Sequence, residues 1–297
     1  MNAVERGRGV VLAAYGRGAL VHDGLAPRRC GLVGRRLKPV CGDVIGWRRD
    51  SASLEPQIES IEPRRNCLER IDSRGRPEPV AANIDRVAIV VAPEPRPDWF
   101  LVDRYWAAAL HHGIEAILLV NKCDLAADGM AEEIACLQGL GLPCLTLSCR
   151  TGEGIDVLRA ATGTGATLIV GQSGVGKSSL VNRLAPEAAA TTATLGRDRE
   201  GRHTTTTARR YPLSDRAAIV DAPGVRDFAP PARLDRAAEH GFVEIRSRSA
   251  DCRFADCRHL EEPDCAVRSA LSRQEISARR YESYRRLARL YAMLAKH

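Results

Sequence analysis

Two groups of residues in this chain have the types and spacing that chemistry needs, one suited to phosphate and one to a metal ion. Gly171-Gln172-Ser173-Gly174-Val175-Gly176-Lys177-Ser178 fits G-x-x-x-x-G-K-[ST]. The apolar run Leu168-Ile169-Val170 precedes it, and Ser179-Leu180-Val181-Asn182-Arg183-Leu184 reads as a helix after it. The pattern therefore lies between a strand and a helix, the context that gives it meaning. Its glycines let backbone N–H groups close around phosphate oxygens at a helix N-terminus. Lys177 can then reach a β- or γ-phosphate, and the Ser178 hydroxyl can ligate Mg²⁺. The plain alternative is a glycine-rich turn beside a chance lysine, but lysine occurs only four times in the 297 residues.

Asn121-Lys122-Cys123-Asp124 follows Ile117-Leu118-Leu119-Val120, so it sits at the C-terminal end of a buried strand, where α/β folds bind ligands. Asp124 can accept hydrogen bonds from N1–H and the 2-amino group of guanine. Adenine has no such amino group and presents an acceptor at N1, a mismatch that can cost roughly 10⁴-fold. Alone the tetrad could be a structural loop; joined to the phosphate loop it specifies GTP over ATP. Asp221-Ala222-Pro223-Gly224 matches D-x-x-G, in which Asp221 would hold Mg²⁺ through water and the Gly224 N–H would sense the γ-phosphate. Ser148-Cys149-Arg150 takes the place of an S-A-[KR] loop, whose backbone N–H contacts guanine O6; Cys149 replaces the usual alanine. The tetrad precedes the phosphate loop by about fifty residues, the reverse of the ordinary order, which makes the chain a circularly permuted GTPase.

Between the phosphate loop and Asp221 runs Gly201-Arg202-His203-Thr204-Thr205-Thr206-Thr207, read as a switch segment in which Thr205 completes the Mg²⁺ shell. A threonine run equally suits a plain β-strand. Val225 stands where Ras-type enzymes place the glutamine that orients water. His203 is the nearest polar candidate for that task, against the alternative of a surface histidine with no role. Gly174 occupies the position of an asparagine found in some cation-activated GTPases, which argues against a K⁺ site of that type.

The metal constellation is Cys252-x4-Cys257-x-His259-x5-Cys265. Three thiolates and one imidazole give tetrahedral Zn²⁺ its four ligands with no position left for water, the mark of a structural site. The loops between them hold no long apolar run, so metal binding should supply much of the local folding energy. Disulfides are the alternative. Glu5, Arg6 and Arg8 break any signal peptide and point to a reducing cytoplasm, which weighs against them.

No stretch approaches the length of a membrane span. The chain is too long for one ordinary core. The formal net charge of +7 is uneven: residues 1–79 carry +5, 80–160 carry −5, 161–235 carry +3 and 236–297 carry +4. A polyanionic partner is thus expected outside the guanine-binding half. Five short strand patterns at 9–15, 19–22, 28–32, 43–48 and 55–61 suit a small β-barrel of the OB type. On it Arg28, Arg29, Arg35, Arg36, Lys38, Arg48 and Arg49 could track a phosphate backbone or be merely solvated. After a helical segment at 234–239, Tyr281, Tyr284, Leu287, Tyr291 and Leu294 recur at helical spacing, a stripe expected to pack on the metal module. Arg279, Arg280, Arg285, Arg286 and Arg289 around it could contact RNA or only water. The expected architecture is multidomain α/β: an OB-type barrel at 1–79, a permuted P-loop GTPase domain at 80–232 and a helical zinc-binding module at 233–297.

This succession resembles the ribosome small-subunit-dependent GTPase A family, bacterial factors for late maturation of the 30S subunit. The likeness covers nearly the whole chain and is most specific at 171–179, 201–206, Asp221-Ala222-Pro223-Gly224-Val225-Arg226 and 252–267. Cys149 and a short N-terminal arm depart from the family pattern. The resemblance implies 16S rRNA held near the decoding region by the barrel and the zinc module, and GTP hydrolysis stimulated by the subunit. It also extends the nucleotide contacts to Ser179. A cytoplasmic monomer is expected, with one Zn²⁺ per chain and Mg²⁺ accompanying GTP. Residues 221–228 run almost directly into the metal module, so loss of the γ-phosphate is expected to free that segment and shift the module, a GTP-controlled clamp on rRNA.

Overall fold

The computed structural model describes residues 4–34, 36–50, 55–71, 76–126, 129–186, 208–222 and 237–294. The first five strands are β1 (Val4–Tyr15), β2 (Gly18–His22), β3 (Pro27–Leu32), β4 (Val44–Asp50) and β5 (Gln57–Ile61), and they close into a barrel in the order β1-β2-β3-β5-β4. Closure depends on the length of β1. Its first half pairs with β4 and its second half with β2, the exchange falling at Val10, which lies opposite both Val44 and His22. Val11, Val21, Cys30, Ile45, Trp47 and Ile58 fill the interior. Gly7 makes room for the largest of these, because a Cβ there would lie 2.3 Å from Trp47 Cζ2.

A hairpin of β6 (Cys67–Ile71) and β7 (Pro77–Ala82) follows. It carries Glu69, Arg70 and two prolines, so no period-two apolar pattern marks it along the chain. Leu68 and Ala81 nevertheless sink into the core of the next sheet. Asp43, fully buried, accepts two bonds from Arg64, Nε at 2.7 Å and Nη2 at 2.8 Å, and so ties the barrel to this connection.

The second sheet runs β10 (Cys144–Thr146), β9 (Glu115–Val120), β8 (Arg86–Val91), β11 (Gly165–Gly171), β13 (Ala217–Asp221), β12 (Arg209–Ser214); all are parallel except β12. A sheet covered on both faces needs strands apolar on both sides. Thus Val87, Ile89 and Val91 of β8 face the core under α1 (Trp99–His111) and α2 (Ala131–Gly139), while Ala88 and Val90 face the core under α3 (Ile155–Ala161) and α4 (Lys177–Leu184). A bridge between Ala13 and Arg209 joins this sheet to the barrel.

The last module holds α5 (Ala237–His240), α6 (Val243–Ser249), α7 (Ala266–Ser272) and α8 (Ala278–Leu294). Of the helix expected at 234–239, only its last residues are described. Tyr281, Tyr284 and Leu287 are buried among Phe242, Ile245 and Val267, and Tyr291 packs at their edge, so the stripe covers the module as its spacing implied. Two of the neighbouring arginines behave otherwise. Arg280 is fully buried: Nη1 donates to Asp103 Oδ1 of α1 at 2.7 Å, Nε to Glu244 Oε1 at 2.7 Å, and the guanidinium lies 4.3 Å from the Phe242 ring centre. Arg279 pairs with Asp103 Oδ2 at 2.6 Å and with Glu133 of α2. Both fasten the module to α1; Arg280 is closed off from solvent, and Arg279 keeps 22% of its side chain exposed. Contact there is close enough that a Cβ on Gly241 would fall 2.0 Å from that of Ala107.

Removing one partner of a buried pair strands the other charge, at about 3–5 kcal/mol. Arg280→Ala should therefore lower unfolding free energy by about that much in urea titration, whereas Arg289→Ala, an exposed arginine of the same helix, should change it by under about 0.5 kcal/mol.

Candidate nucleotide and metal sites

β11 ends at Gly171 and α4 begins at Lys177, with the phosphate loop between them at the C-terminal edge of the sheet. The loop turns through Gly174 at φ 83° and Gly176 at φ 99°. A Cβ on Gly176 would stand 2.3 Å from Asn121 Nδ2, so two motifs distant in sequence interlock here. Asn121 is buried and works between loops: Nδ2 donates to Val175 O at 2.8 Å, and Oδ1 accepts from Cys149 N at 3.2 Å. Lys122, at φ 61°, donates from Nζ to Glu94 O at 2.6 Å and Gly174 O at 2.8 Å. Gln172 holds the loop to the start of α1, accepting from Asp98 N at 2.8 Å and donating to Arg96 O at 3.2 Å. Lys177 Nζ donates to the carbonyls of Gly171 and Gln172 at 2.9 and 2.6 Å, from where it faces the loop interior. Val175 is buried beneath, while Ser173, Ser178 and Ser179 are exposed.

On the base side Ser148, fully buried, donates to Asp124 Oδ1, and its oxygen accepts from the N–H groups of Arg150 and Thr151 at 3.2 Å each. The Ser148 hydrogen bond, helped by Arg150, holds the Asp124 carboxyl below the usual carboxylate range. The Cys123 thiol turns aside, 3.5 Å from Glu153 Oε2. Asn121, Asp124, Ser148, Cys149, Gly176 and Ser179 share one cavity of about 460 Å³, although fifty-eight residues separate the first from the last. Asp221 ends β13 in register with Ile169 of β11. Burial raises its pKa against the pull of Lys177 and Arg209, the condition of a carboxylate that gains by meeting a cation. His203, Thr205 and Gly224 lie outside the described residues.

The metal candidates converge as well. The ligand atoms of Cys252, Cys257, His259 and Cys265 all lie within 4.8 Å of one another. A tetrahedral zinc has ligand separations of about 3.8 Å between sulfurs and about 3.6 Å between sulfur and nitrogen, from its usual bond lengths. Cys252 Sγ lies 3.9 Å from Cys265 Sγ, and His259 Nδ1 lies 3.4 Å and 3.5 Å from those two sulfurs. The donor set therefore fits zinc in both kind and spacing. His259 presents Nδ1 to the sulfurs and Nε2 to Glu239, 3.2 Å away, the carboxylate support that metal-ligating histidines commonly have. The loop is held from α8, where Tyr281 and Tyr284 donate to the carbonyls of His259 and Arg258 at 2.6 and 2.9 Å. Glu262 gathers it from within, accepting from the N–H groups of Arg258, Leu260 and Glu261 at 2.9, 2.8 and 3.1 Å. Ligand spacing signals neither Glu239 nor Glu262, because neither binds the metal.

A family model described as RsgA GTPase matches residues 61–230. A curated relative from Azotobacter vinelandii, named "Small ribosomal subunit biogenesis GTPase RsgA", is 42% identical over 87% of this chain and 77% of its own length. This chain belongs to the RsgA GTPase family. Among solved structures, YjeQ from Thermotoga maritima superposes with a TM-score of 0.73 at 27% identity, covering 97% of this chain and 99% of that one. YloQ, titled a circularly permuted GTPase, shares the fold at a TM-score of 0.68 and 23% identity, covering 97% and 96%. Membership of the RsgA GTPase family makes the chain a GTP-hydrolysing enzyme, with Mg²⁺ accompanying the nucleotide.

For Glu262 burial raises the pKa, but the hydrogen bonds from Arg258, from its own N–H, from Leu260 and from Glu261 outweigh it and hold the carboxyl at about 2. A depressed carboxylate contributes stability that is complete above its unfolded pKa of about 4.3 and lost as pH falls toward the folded value. Glu262→Gln should cost about 1–2 kcal/mol at pH 7. Urea titrations from pH 7 downward should show that gap closing below about pH 4.3.

Proposed function

We propose that this chain acts in small ribosomal subunit biogenesis, hydrolysing GTP at the cavity between Asp124 and the phosphate loop. The convergence of loops from both sides of the permutation on that cavity carries the reading, and the name of its 42%-identical relative gives the process. Asp124 would read the guanine edge, and the backbone of Cys149 would contact O6. Residues 171–179 would wrap the phosphates, with Lys177 neutralising charge that develops on them. Ser178, Asp221 and Thr205 would hold Mg²⁺, and His203 would orient the attacking water.

Cys252, Cys257, His259 and Cys265 would hold one structural Zn²⁺, which when bound closes the loop that α8 and Glu262 already support. The 30S subunit, through its 16S rRNA, would meet the basic flanking parts, divided from the GTPase domain near residues 79 and 232. A cleft of about 660 Å³ beside Arg28, Arg29 and Arg49 supports a phosphate-tracking role for the barrel. Because Arg279 and Arg280 bind the metal module to α1, the two would shift as one body on the subunit when GTP is lost. We take the protein to act as a cytoplasmic monomer; among the described residues no helix is long and apolar enough to cross a membrane.

Turnover measured with and without purified 30S subunits tests the function. At least a tenfold stimulation is expected; equal rates would leave a GTPase without this partner. Elemental analysis of the freshly purified chain should find about one zinc per molecule, and its absence, or a Cys252–Cys257 disulfide, would overturn the metal assignment.

A further inference from the structure

Asp124 already has a partner of guanine's own chemistry. Arg150 Nε and Nη2 both lie 2.8 Å from Asp124 Oδ2, while Ser148 occupies Oδ1. A guanidinium offers two parallel N–H donors on one planar fork. Guanine contains the same fragment, since N1–H and the 2-amino group are two nitrogens on one carbon. The two are chemical look-alikes for one carboxylate. They also compete for space, because Arg150 and Asp124 line the same cavity. The partners differ in exposure: the Asp124 side chain is 11% exposed and that of Arg150 76%, so the arginine can swing into water while the carboxylate stays. The Arg150 backbone is pinned separately by its N–H on Ser148 Oγ.

We propose that Arg150 is an internal competitor, a built-in guanine mimic that holds Asp124 in the free protein and must be displaced before a base can reach the carboxylate. This rests on the reading of Asp124 as the guanine contact. Every nucleotide must open that pair at the same cost, so Arg150 lowers affinity and slows association, while the choice of base stays with Asp124. The side chain acts on the free enzyme only. Nucleotide binds the fraction of molecules in which Asp124 is open, and apparent affinity falls by that fraction.

Stopped-flow binding of a fluorescent GDP analogue to the full chain tests this. An exposed ion pair is worth a factor of about two to five. Arg150→Met should raise the association rate constant by about that factor and leave dissociation unchanged, with Arg150→Lys, which has no fork, in between. The difference from the parent should shrink between low salt and about 0.5 M NaCl, where exposed charges are screened. An unchanged association rate, or faster dissociation in Arg150→Met, would overturn the proposal; the latter would show Arg150 resting on the bound base. Asp124→Asn, measured in parallel with xanthosine diphosphate, separates the two levels. If it gains xanthine binding while Arg150→Met changes nothing, only the mimic fails. If it gains none, the guanine assignment itself falls.

Discussion

Parallel pairing of β11 with β8 on one side and β13 on the other is the constraint on which the rest depends. All three strands end at the same edge of the sheet, so the loops that leave them meet there whatever their order in the chain. Permutation alters which strand ends are covalently joined and leaves their neighbours in place. The phosphate loop thus finds the Asn121 tetrad across the edge. Asn121 locks the arrangement because its amide serves two loops at once, giving to Val175 and accepting from the Cys149 N–H. A buried amide with both ends satisfied is a positional device, since any shift of either loop leaves a polar group unpaired.

The same economy governs the junction with the metal module. A buried guanidinium is costly to desolvate, and it is tolerated at Arg280 because Asp103, Glu244 and the face of Phe242 surround it. Asp103 is equally buried and serves two arginines, one through each oxygen. The energetic consequence is rigidity: α1 and α8 cannot separate without exposing or stranding several charges together. Gln172 reaches the start of that same α1 through the Asp98 N–H, so one helix touches the phosphate loop at one end and carries the metal module along its flank.

Most of the fold was legible because its signals are local. Short strand segments spaced along the first sixty residues announced the barrel, continuous apolar runs the buried parallel strands, and the tyrosine stripe the packed face of α8. The hairpin β6–β7 escaped because Glu69, Arg70, Pro77 and Pro79 mask its pattern, and its burial at Leu68 and Ala81 is a property of what lies beneath it. Arg279 and Arg280 were misplaced for a related reason. A run of arginines looks alike in sequence whether it meets water, RNA or buried carboxylates 176 and 177 residues away.

The sequence by itself determined the ligand chemistry: which residues can cradle phosphate, read guanine or bind a soft metal follows from their types and from spacings of a few residues. Only the tertiary structure decided how those groups are held. Glu262 under the metal loop, Glu239 behind His259, Arg150 on Asp124 and Arg280 between two helices all act through contacts made by folding. Such contacts carry no periodicity or motif, because a carboxylate and its partner are matched by distance in space and not along the chain.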